Sequence, residues 1–106
     1  MNIQYKKGVL DLLVLSMLDQ KDQYGYDISD TLSNKISLSP GTVYPILRKL
    51  KDDGYVTTYL SETSGGPARK YYKLTVSGKQ KLLDSKKEWI EFVKTTLEIL
   101  EVSKDE

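Results

Sequence analysis

The sequence predicts a mainly α-helical protein that contains one small β-hairpin. Three observations support this fold class. Apolar residues recur at helical spacing in four segments, two segments rich in β-branched and aromatic residues flank a glycine-containing turn, and the last helical segment is much longer than the others. The chain has 106 residues, which is enough for one compact unit and too few for two independent domains.

The first two helices are predicted from apolar spacing. The first runs from about Lys6 to Leu18. Because apolar residues nearly surround it, we expect it to be buried on most sides, partly against a second chain. The second helix begins at Asp22 or Gln23, and the segment 34–37 is expected to break it.

The third helix is predicted from residues that begin and end helices. Ser39 is a favoured N-cap, and Pro40 suits the first turn because the N–H that proline lacks has no partner there. The helix is expected to continue to about Asp53, and Gly54 to close it. Pro45 has two interpretations: a kink tolerated because the residue four positions earlier is glycine, or a place within an irregular first turn.

A hairpin and a long helix complete the chain. Residues 55–60 and 70–74 are predicted strands, the glycines and proline at 64–67 form the turn between them, and a helix follows over 76–100. Three helices followed by a hairpin are the arrangement of a winged helix-turn-helix. We therefore predict this domain over residues 1–75, and a C-terminal dimerisation helix with a charged tail over 76–106, packed as one compact unit.

The charged residues are distributed unevenly, although the net charge is only +1. Residues 34–51 contain four basic side chains and no acid, and residues 69–81 contain five and no acid. Residues 82–106 carry seven acids against four lysines. This asymmetry indicates one face for an anionic partner such as nucleic acid and another that avoids it. Chance segregation along a solvated surface is the alternative.

The composition disfavours several functions. The chain has no cysteine and no histidine, so it offers no disulfide, no thiolate and no imidazole as metal ligand or general base. An enzyme is therefore disfavoured, and no cofactor is predicted. No segment approaches the roughly 20 apolar residues of a membrane span. We expect a cytoplasmic protein without a membrane partner.

The third helix and the hairpin are the candidate surface for double-stranded DNA. On a helical wheel, the apolar residues of the third helix share one arc, Arg48 lies on the opposite arc, and Lys49 lies near the start of the helix or on its flanks. A thin glycine tip suits entry of the hairpin into a minor groove. The candidate DNA-binding residues are Ser39, Gly41, Thr42, Tyr44, Arg48 and Lys49 of the helix, and Gly66, Arg69 and Lys70 of the hairpin. A module that binds an acidic protein instead is the alternative.

The last helix is apolar over an arc of roughly 200°, whereas a core-facing helix needs only a little over 100°. The excess indicates a second partner, and a symmetric pair of identical chains is the simplest one. Trp89 has two interpretations on this helix, an anchor that only packs at the interface or a platform for a ligand. Tyr24 and Tyr26 are also open to two interpretations: packing at a helix junction, or a hydroxyl that reaches a phosphate.

Four segments together resemble the PadR family of transcription regulators, and in particular its short subfamily with a single C-terminal helix. These segments are KGVLDLLVLSML at 7–18, YGYDI at 24–28, LSPGTVYPILRKLKDDGYV at 38–56, and GGPARKYYKLTVSGKQKL at 65–82, and the later Trp89 with Phe92 also fits. Each segment alone is a weak signal, but their combination in this order is specific. The resemblance covers residues 6 to about 100.

The resemblance implies a homodimeric repressor that binds a pseudo-palindromic operator. It also implies a small aromatic or hydrophobic effector, because the family's effectors include phenolic acids and hydrophobic drugs. In the drug-binding members, the first and last helices of both subunits form a pore lined by a tryptophan. Trp89 corresponds to that tryptophan by position, and Tyr5, Gly8, Leu12 and Val93 would neighbour it. Val93 departs from the acid found there in a drug-binding member, which puts a preference for cationic drugs in doubt.

Overall fold

The fold is mainly helical and has a long C-terminal helix, as the sequence predicted, and its small sheet is antiparallel with three strands. A computed structural model describes residues 8–62 and 65–101, with only the backbone of Pro40. Its elements, in chain order, are α1 (Val9–Gln20), β1 (Gln23–Tyr24), α2 (Gly25–Ile36), a 3₁₀ turn (Pro40–Thr42), α3 (Val43–Asp52), β2 (Val56–Ser61), β3 (Arg69–Leu74) and α4 (Val76–Leu100). The predicted start of the first helix, Lys6, lies outside the described residues.

Strand β1 is a feature that the sequence analysis missed. The sheet has the order β1-β3-β2, with Gln23 opposite Tyr72 and Tyr24 opposite Tyr71. The predicted start of the second helix at Asp22 or Gln23 was therefore wrong, because Gln23 and Tyr24 extend the hairpin by a third strand and α2 begins only at Gly25.

The hydrophobic core lies where α1, α2 and α3 meet the sheet. Each helix contributes apolar side chains that are almost completely buried, and β2, β3 and the start of α4 close the core. These side chains include Val14, Leu15 and Leu18 of α1, Ile28 and Leu32 of α2, Val43, Leu47 and Leu50 of α3, and Val56, Tyr72 and Leu82. At about 1.5–3 kcal/mol for each large buried side chain, this cluster stabilises the arrangement of the three helices.

The connection between α2 and α3 is short and closed by backbone hydrogen bonds. Ser37 adopts the left-handed conformation, with φ 56°, and its N–H donates to the carbonyl of Ser33. The N–H of Thr42 donates to the carbonyl of Ser39 at 3.0 Å and closes the 3₁₀ turn, while the Ser39 hydroxyl makes no capping bond. Pro45 is the third residue of α3, where the missing N–H has no helical partner, which supports the interpretation of an irregular first turn.

Hydrogen bonds anchor the beginning of helix α4. The hydroxyls of Thr75 and Ser77 both donate to the carbonyl of Gly54, at 2.7 and 2.9 Å, and the Thr75 hydroxyl accepts from the N–H of Gly78 as an N-cap. Of the 25 residues of α4, Gly78 and Leu82 are buried. The helix extends the molecule to 57 × 28 × 22 Å, with a radius of gyration of 16.0 Å against about 13 Å for a compact domain of this length.

Candidate nucleic-acid interface

Helix α3 separates a buried side from a basic, exposed side. Val43, Leu47 and Leu50 point into the core. The predicted DNA-binding residues Ser39, Gly41, Tyr44, Arg48 and Lys49 are exposed, and Thr42 is half-buried. Space around Gly41 is open, because a side-chain carbon added there would meet no atom within 4 Å. The helical candidates are therefore accessible to solvent, Thr42 only in part.

Tyr44 and Arg48 adjoin the inner face of the sheet, where Tyr72 is buried. Burial raises the pKa of the Tyr72 hydroxyl, the neighbouring Tyr44 raises it further, and the positive charge of Arg48 lowers it. A side-chain carbon added at Gly25 would lie 3.0 Å from the Tyr72 ring and 3.9 Å from that of Tyr44. Glycine at position 25 thus allows the two aromatic rings to approach the beginning of α2, a role that the sequence analysis did not assign.

The hairpin of β2 and β3 forms the wing. Its two basic candidates lie on opposite faces of strand β3, because side chains alternate along a strand. Lys70 shares the inner face with Tyr72 and lies on the side of α3, across from Leu60 in the register. Arg69 lies on the outer face, with its guanidinium 5.0 Å from the centre of the Tyr24 ring. Both side chains are exposed. The sequence predicted them as one group of DNA-binding residues, but in the structure they lie on two different faces of the strand.

The tip of the wing is described only in part. Gly65 has φ 72°, a left-handed conformation that favours glycine, and the candidate Gly66 is half-buried. Residues 63 and 64 lie outside the described residues.

Tyrosines cover the outer face of the sheet. Tyr24, Tyr71 and Tyr59 stand in register on the three strands, with ring centres 6.1 and 5.7 Å apart. The Tyr59 hydroxyl donates to Asp22 at 2.8 Å, and this hydrogen bond raises the pKa of Tyr59. The ring of Tyr24 thus packs against Tyr71, which supports the packing interpretation for Tyr24, whereas Tyr26 is 57% exposed.

Lys49 of α3 forms an ion pair with a residue of α1. Its ammonium donates to the carboxylate of Asp11 on α1 at 2.8 Å, and this hydrogen bond raises the pKa of Lys49. Its side chain is nevertheless 63% exposed. Lys49 was predicted as a DNA-binding residue from the sequence, but its partner, which lies 38 residues earlier, was not identified.

A groove of about 430 Å³ lies between α1 and α4 and contains part of the predicted effector site. It brings together the candidates Gly8, Leu12 and Trp89, and Trp89 packs on Phe92 with ring centres 5.8 Å apart. Val93 is half-buried and does not line the groove. Tyr5 lies outside the described residues. The other lining residues are Val9, Asp11, Leu15, Lys81, Ser85, Glu88 and Phe92.

A helix-turn-helix whose third helix exposes a basic surface beside a β-wing is the architecture of a winged-helix transcription regulator. Comparison with known proteins agrees, because the model of the PadR-like family of transcriptional regulators matches residues 14–84. The chain belongs to this family, whose members are DNA-binding regulators and not enzymes. The resemblance seen in the sequence is thereby confirmed, while the assignment to the short subfamily stays a prediction.

Individual relatives support the assignment. The chain is 35% identical to an uncharacterized protein of Lysinibacillus sphaericus, over 80% of this chain and 82% of the relative. It is 34% identical to the negative transcriptional regulator PadR of Bacillus subtilis over 72% of this chain, but this alignment spans only 44% of that longer protein. A PadR-like transcriptional regulator from Bacillus cereus has the same fold, with a TM-score of 0.84 and 31% identity over 97% of this chain and 99% of the other.

One structural finding bears on membranes. Within residues 8–62 and 65–101, no helix is both long and apolar enough to cross a lipid bilayer.

Proposed function

We propose that this regulator is a homodimeric repressor that binds operator DNA in the cytoplasm and is released by a small aromatic or hydrophobic effector. The observation that carries the proposal is the joint placement of Tyr44, Arg48 and Lys70, which brings the basic side of α3 and the inner face of the wing to one side of the fold. The repressor role is supported by the B. subtilis relative, whose name describes a negative regulator.

The DNA-binding surface consists of the start of α3 and the wing. The open space at Gly41 allows close approach of a DNA backbone, and Tyr44 and Arg48 follow on the same exposed side. The proposed contacts are those predicted from the sequence, namely Ser39, Gly41, Thr42, Tyr44, Arg48, Lys49, Gly66, Arg69 and Lys70. Lysine and arginine contacts to phosphate release counterions, so binding must weaken as salt rises.

Salt-dependent binding to the promoter DNA upstream of its own gene tests this surface. We expect saturable binding in a gel-shift titration, and a logarithmic salt slope that becomes shallower by about 0.9 for each phosphate contact removed. Arg48→Gln should reduce both affinity and slope. The matched control is Lys86→Gln, which removes one exposed cation from α4. Binding that is insensitive to salt, or equal losses in the two variants, would contradict the proposed surface.

Dimerisation is proposed to involve α4, which makes residues 76–106 the dimerisation segment and residues 1–75 the DNA-binding domain. Ile90, Phe92, Ile99 and Leu100 are 53–74% exposed in the single chain. Helix α4 buries only Gly78 and Leu82 within the chain. An exposed apolar surface of this size is typical of a helix that packs against another protein surface. A second copy covers it symmetrically and places two DNA-binding domains at a fixed spacing, as a two-fold operator requires.

Sedimentation of two charge variants tests the dimer. Phe92→Glu introduces a carboxylate into the proposed interface and should shift the protein towards monomer at micromolar concentration. Leu60→Glu is the control, because Leu60 is 69% exposed but lies on the wing, and it should remain dimeric. A wild-type monomer at these concentrations would refute the proposal.

The effector is proposed to bind the groove between α1 and α4, where Gly8, Leu12 and Trp89 meet. Tyr5 and Val93 belong to this proposed site by family position only. Because Trp89 is the sole tryptophan, its emission reports directly on the groove. A panel of planar aromatic compounds should quench it saturably, and Ser85→Leu, which adds bulk to the wall, should weaken quenching. A flat response to the whole panel would leave Trp89 with a packing role only.

A further inference from the structure

One carboxylate is shared between the groove and the DNA-binding helix. Asp11 of α1 lines the groove that Trp89 also lines, and the same carboxylate accepts a hydrogen bond from Lys49 of α3. The Lys49 Nζ to Asp11 Oδ2 distance is 2.8 Å, and the side chains are 63% and 27% exposed. Lys49 therefore reaches solvent with its charge already compensated, whereas Asp11 is largely enclosed between α1, α3 and the groove.

An ion pair of this exposure is exchangeable. Partly exposed pairs contribute little to stability, since water competes with both partners. The lysine ammonium sits on a flexible stem and binds as a point charge, so it can turn from a carboxylate to a nearby phosphate without movement of the helix. The strong negative potential of duplex DNA favours that turn when α3 docks.

We propose that Asp11 is an internal competitor for Lys49, so that Lys49 takes a DNA phosphate only by leaving Asp11. Asp11 is thus a positioning residue that reduces DNA affinity, and its uncompensated charge faces the groove in the DNA-bound state. The inference rests on the proposed function, because it takes α3 as the DNA-binding helix.

The competition determines which ligand charge releases DNA. Binding and release are linked reciprocally, so a ligand that prefers the DNA-free state weakens DNA binding by the same factor. A cation in the groove prefers the state in which Asp11 is unpaired, and therefore favours DNA binding. Lys81 and Glu88 also line the groove, and their opposite charges offset each other. The exchange therefore excludes a cation as the groove ligand that releases DNA.

The chain offers a matched control on the same helix. Asp19 also lies on α1 and pairs with a lysine, Lys79 of α4, at 2.7 Å. Its side chain is 36% exposed and that of Lys79 is 49% exposed, close to the values for the Asp11 pair. Asp19→Asn and Asp11→Asn thus remove the same charge from the same helix, but only the second frees a cation on α3.

The test is a double-mutant cycle on DNA affinity, with the duplex from upstream of the protein's own gene. Asp11→Asn should tighten binding by about two- to fivefold per subunit, the range expected for an exposed ion pair, and by the square of that factor in a dimer. Asp19→Asn should leave affinity within about twofold of wild type. In a Lys49→Gln background, Asp11→Asn should have no further effect, and Lys49→Gln alone should reduce the salt slope by about 0.9 per subunit.

Three results would overturn the proposal. Equal tightening by Asp11→Asn and Asp19→Asn would show general electrostatics alone. Tightening that persists in Lys49→Gln would show that Asp11 acts by another route, and an unchanged salt slope in Lys49→Gln would show that Lys49 reaches no phosphate. Unfolding temperatures of all variants exclude effects of misfolding. Failure of the wild type to bind any duplex would instead refute the proposed function, so the two failures are distinguishable.

Discussion

The contact between Gly78 and the 54–55 segment predicts that a single methyl group disrupts the attachment of α4. A side-chain carbon built on Gly78 overlaps the backbone carbonyl oxygen of Tyr55 and lies 2.8 Å from a methyl carbon of Leu74. The overlap is with backbone, which cannot turn aside as a flexible side chain can. The N–H of Thr75 donates to the same carbonyl at 3.1 Å, so a hydrogen bond also restrains the position of this oxygen.

The magnitude follows from what must give way. Forcing a methyl group into a packed contact costs about 1–3 kcal/mol. If α4 moves outward instead, the hydrogen bonds from Thr75 and Ser77 to Gly54 are strained, at about 0.5–1.5 kcal/mol each. Alanine offsets up to about 1 kcal/mol of this through its better helix propensity. We therefore expect Gly78→Ala to lower the free energy of unfolding by about 2 kcal/mol, equivalent to roughly 10 °C in unfolding temperature for a chain of this size.

The assay is urea unfolding followed by circular dichroism, at one protein concentration because the stability of the proposed dimer would depend on it. The control is Gly41→Ala, since an added carbon at Gly41 meets nothing within 4 Å. The control should be as stable as wild type or more stable by up to about 1 kcal/mol. A Gly78→Ala protein with wild-type stability would refute the steric reasoning, and with it the view that close approach at Gly78 sets the position of α4.

Three further predictions concern the wing and its junction. Burial raises the pKa of Tyr72 above its usual 10.0, so between the two pKa values the folded chain keeps a proton that the unfolded chain releases. The free energy of unfolding should therefore be highest below about pH 10 and should fall as the pH rises through the folded pKa. Tyr72→Phe should reduce this fall in urea titrations. Gly25→Ala places a carbon 3.0 Å from the Tyr72 ring and should cost about 1 kcal/mol in the same assay, with no loss if the ring shifts freely. Lys70→Ala should reduce the salt slope of DNA binding more than Arg69→Ala, because Arg69 lies over Tyr24 on the outer face; equal slopes would show that both faces of the wing meet DNA.

The elements with strong local signals could be predicted from the sequence. The last helix was predicted over 76–100, and α4 spans Val76–Leu100. Thr75, which precedes α4, is its N-cap. The apolar spacing of α4 continues for seven turns, so the local signals and the packing agree. Strands β2 and β3 were predicted within one residue of their bounds, since β-branched and aromatic runs around a glycine turn need only each other to pair.

Features that depend on distant partners could not be predicted in the same way. Strand β1 has two residues, and its only strand signal is its pairing with Tyr71 and Tyr72, nearly fifty positions later. The pairing of Lys49 with Asp11 likewise depends on how α3 crosses α1. The division of Arg69 from Lys70 is different, because strand alternation alone would have revealed it once 69–74 was taken as a strand.

Helix α1 connects the proposed DNA-binding and effector-binding surfaces. The strengths of its contacts indicate whether the proposed effector would displace α3 or α4 relative to α1. Val14 and Leu15 are almost fully buried against the core, and each contributes more than an exposed ion pair does. Helices α1 and α3 must therefore move together, while the exchange of Lys49 only adjusts affinity. Helix α4 buries only Gly78 and Leu82 in the single chain, so the proposed ligand in the groove between α1 and α4 would act mainly on the attachment of α4 at Gly54 and Tyr55. In the proposed dimer, a small rotation there would change the distance between the two DNA-binding domains, and this distance must match an operator with fixed half-site spacing.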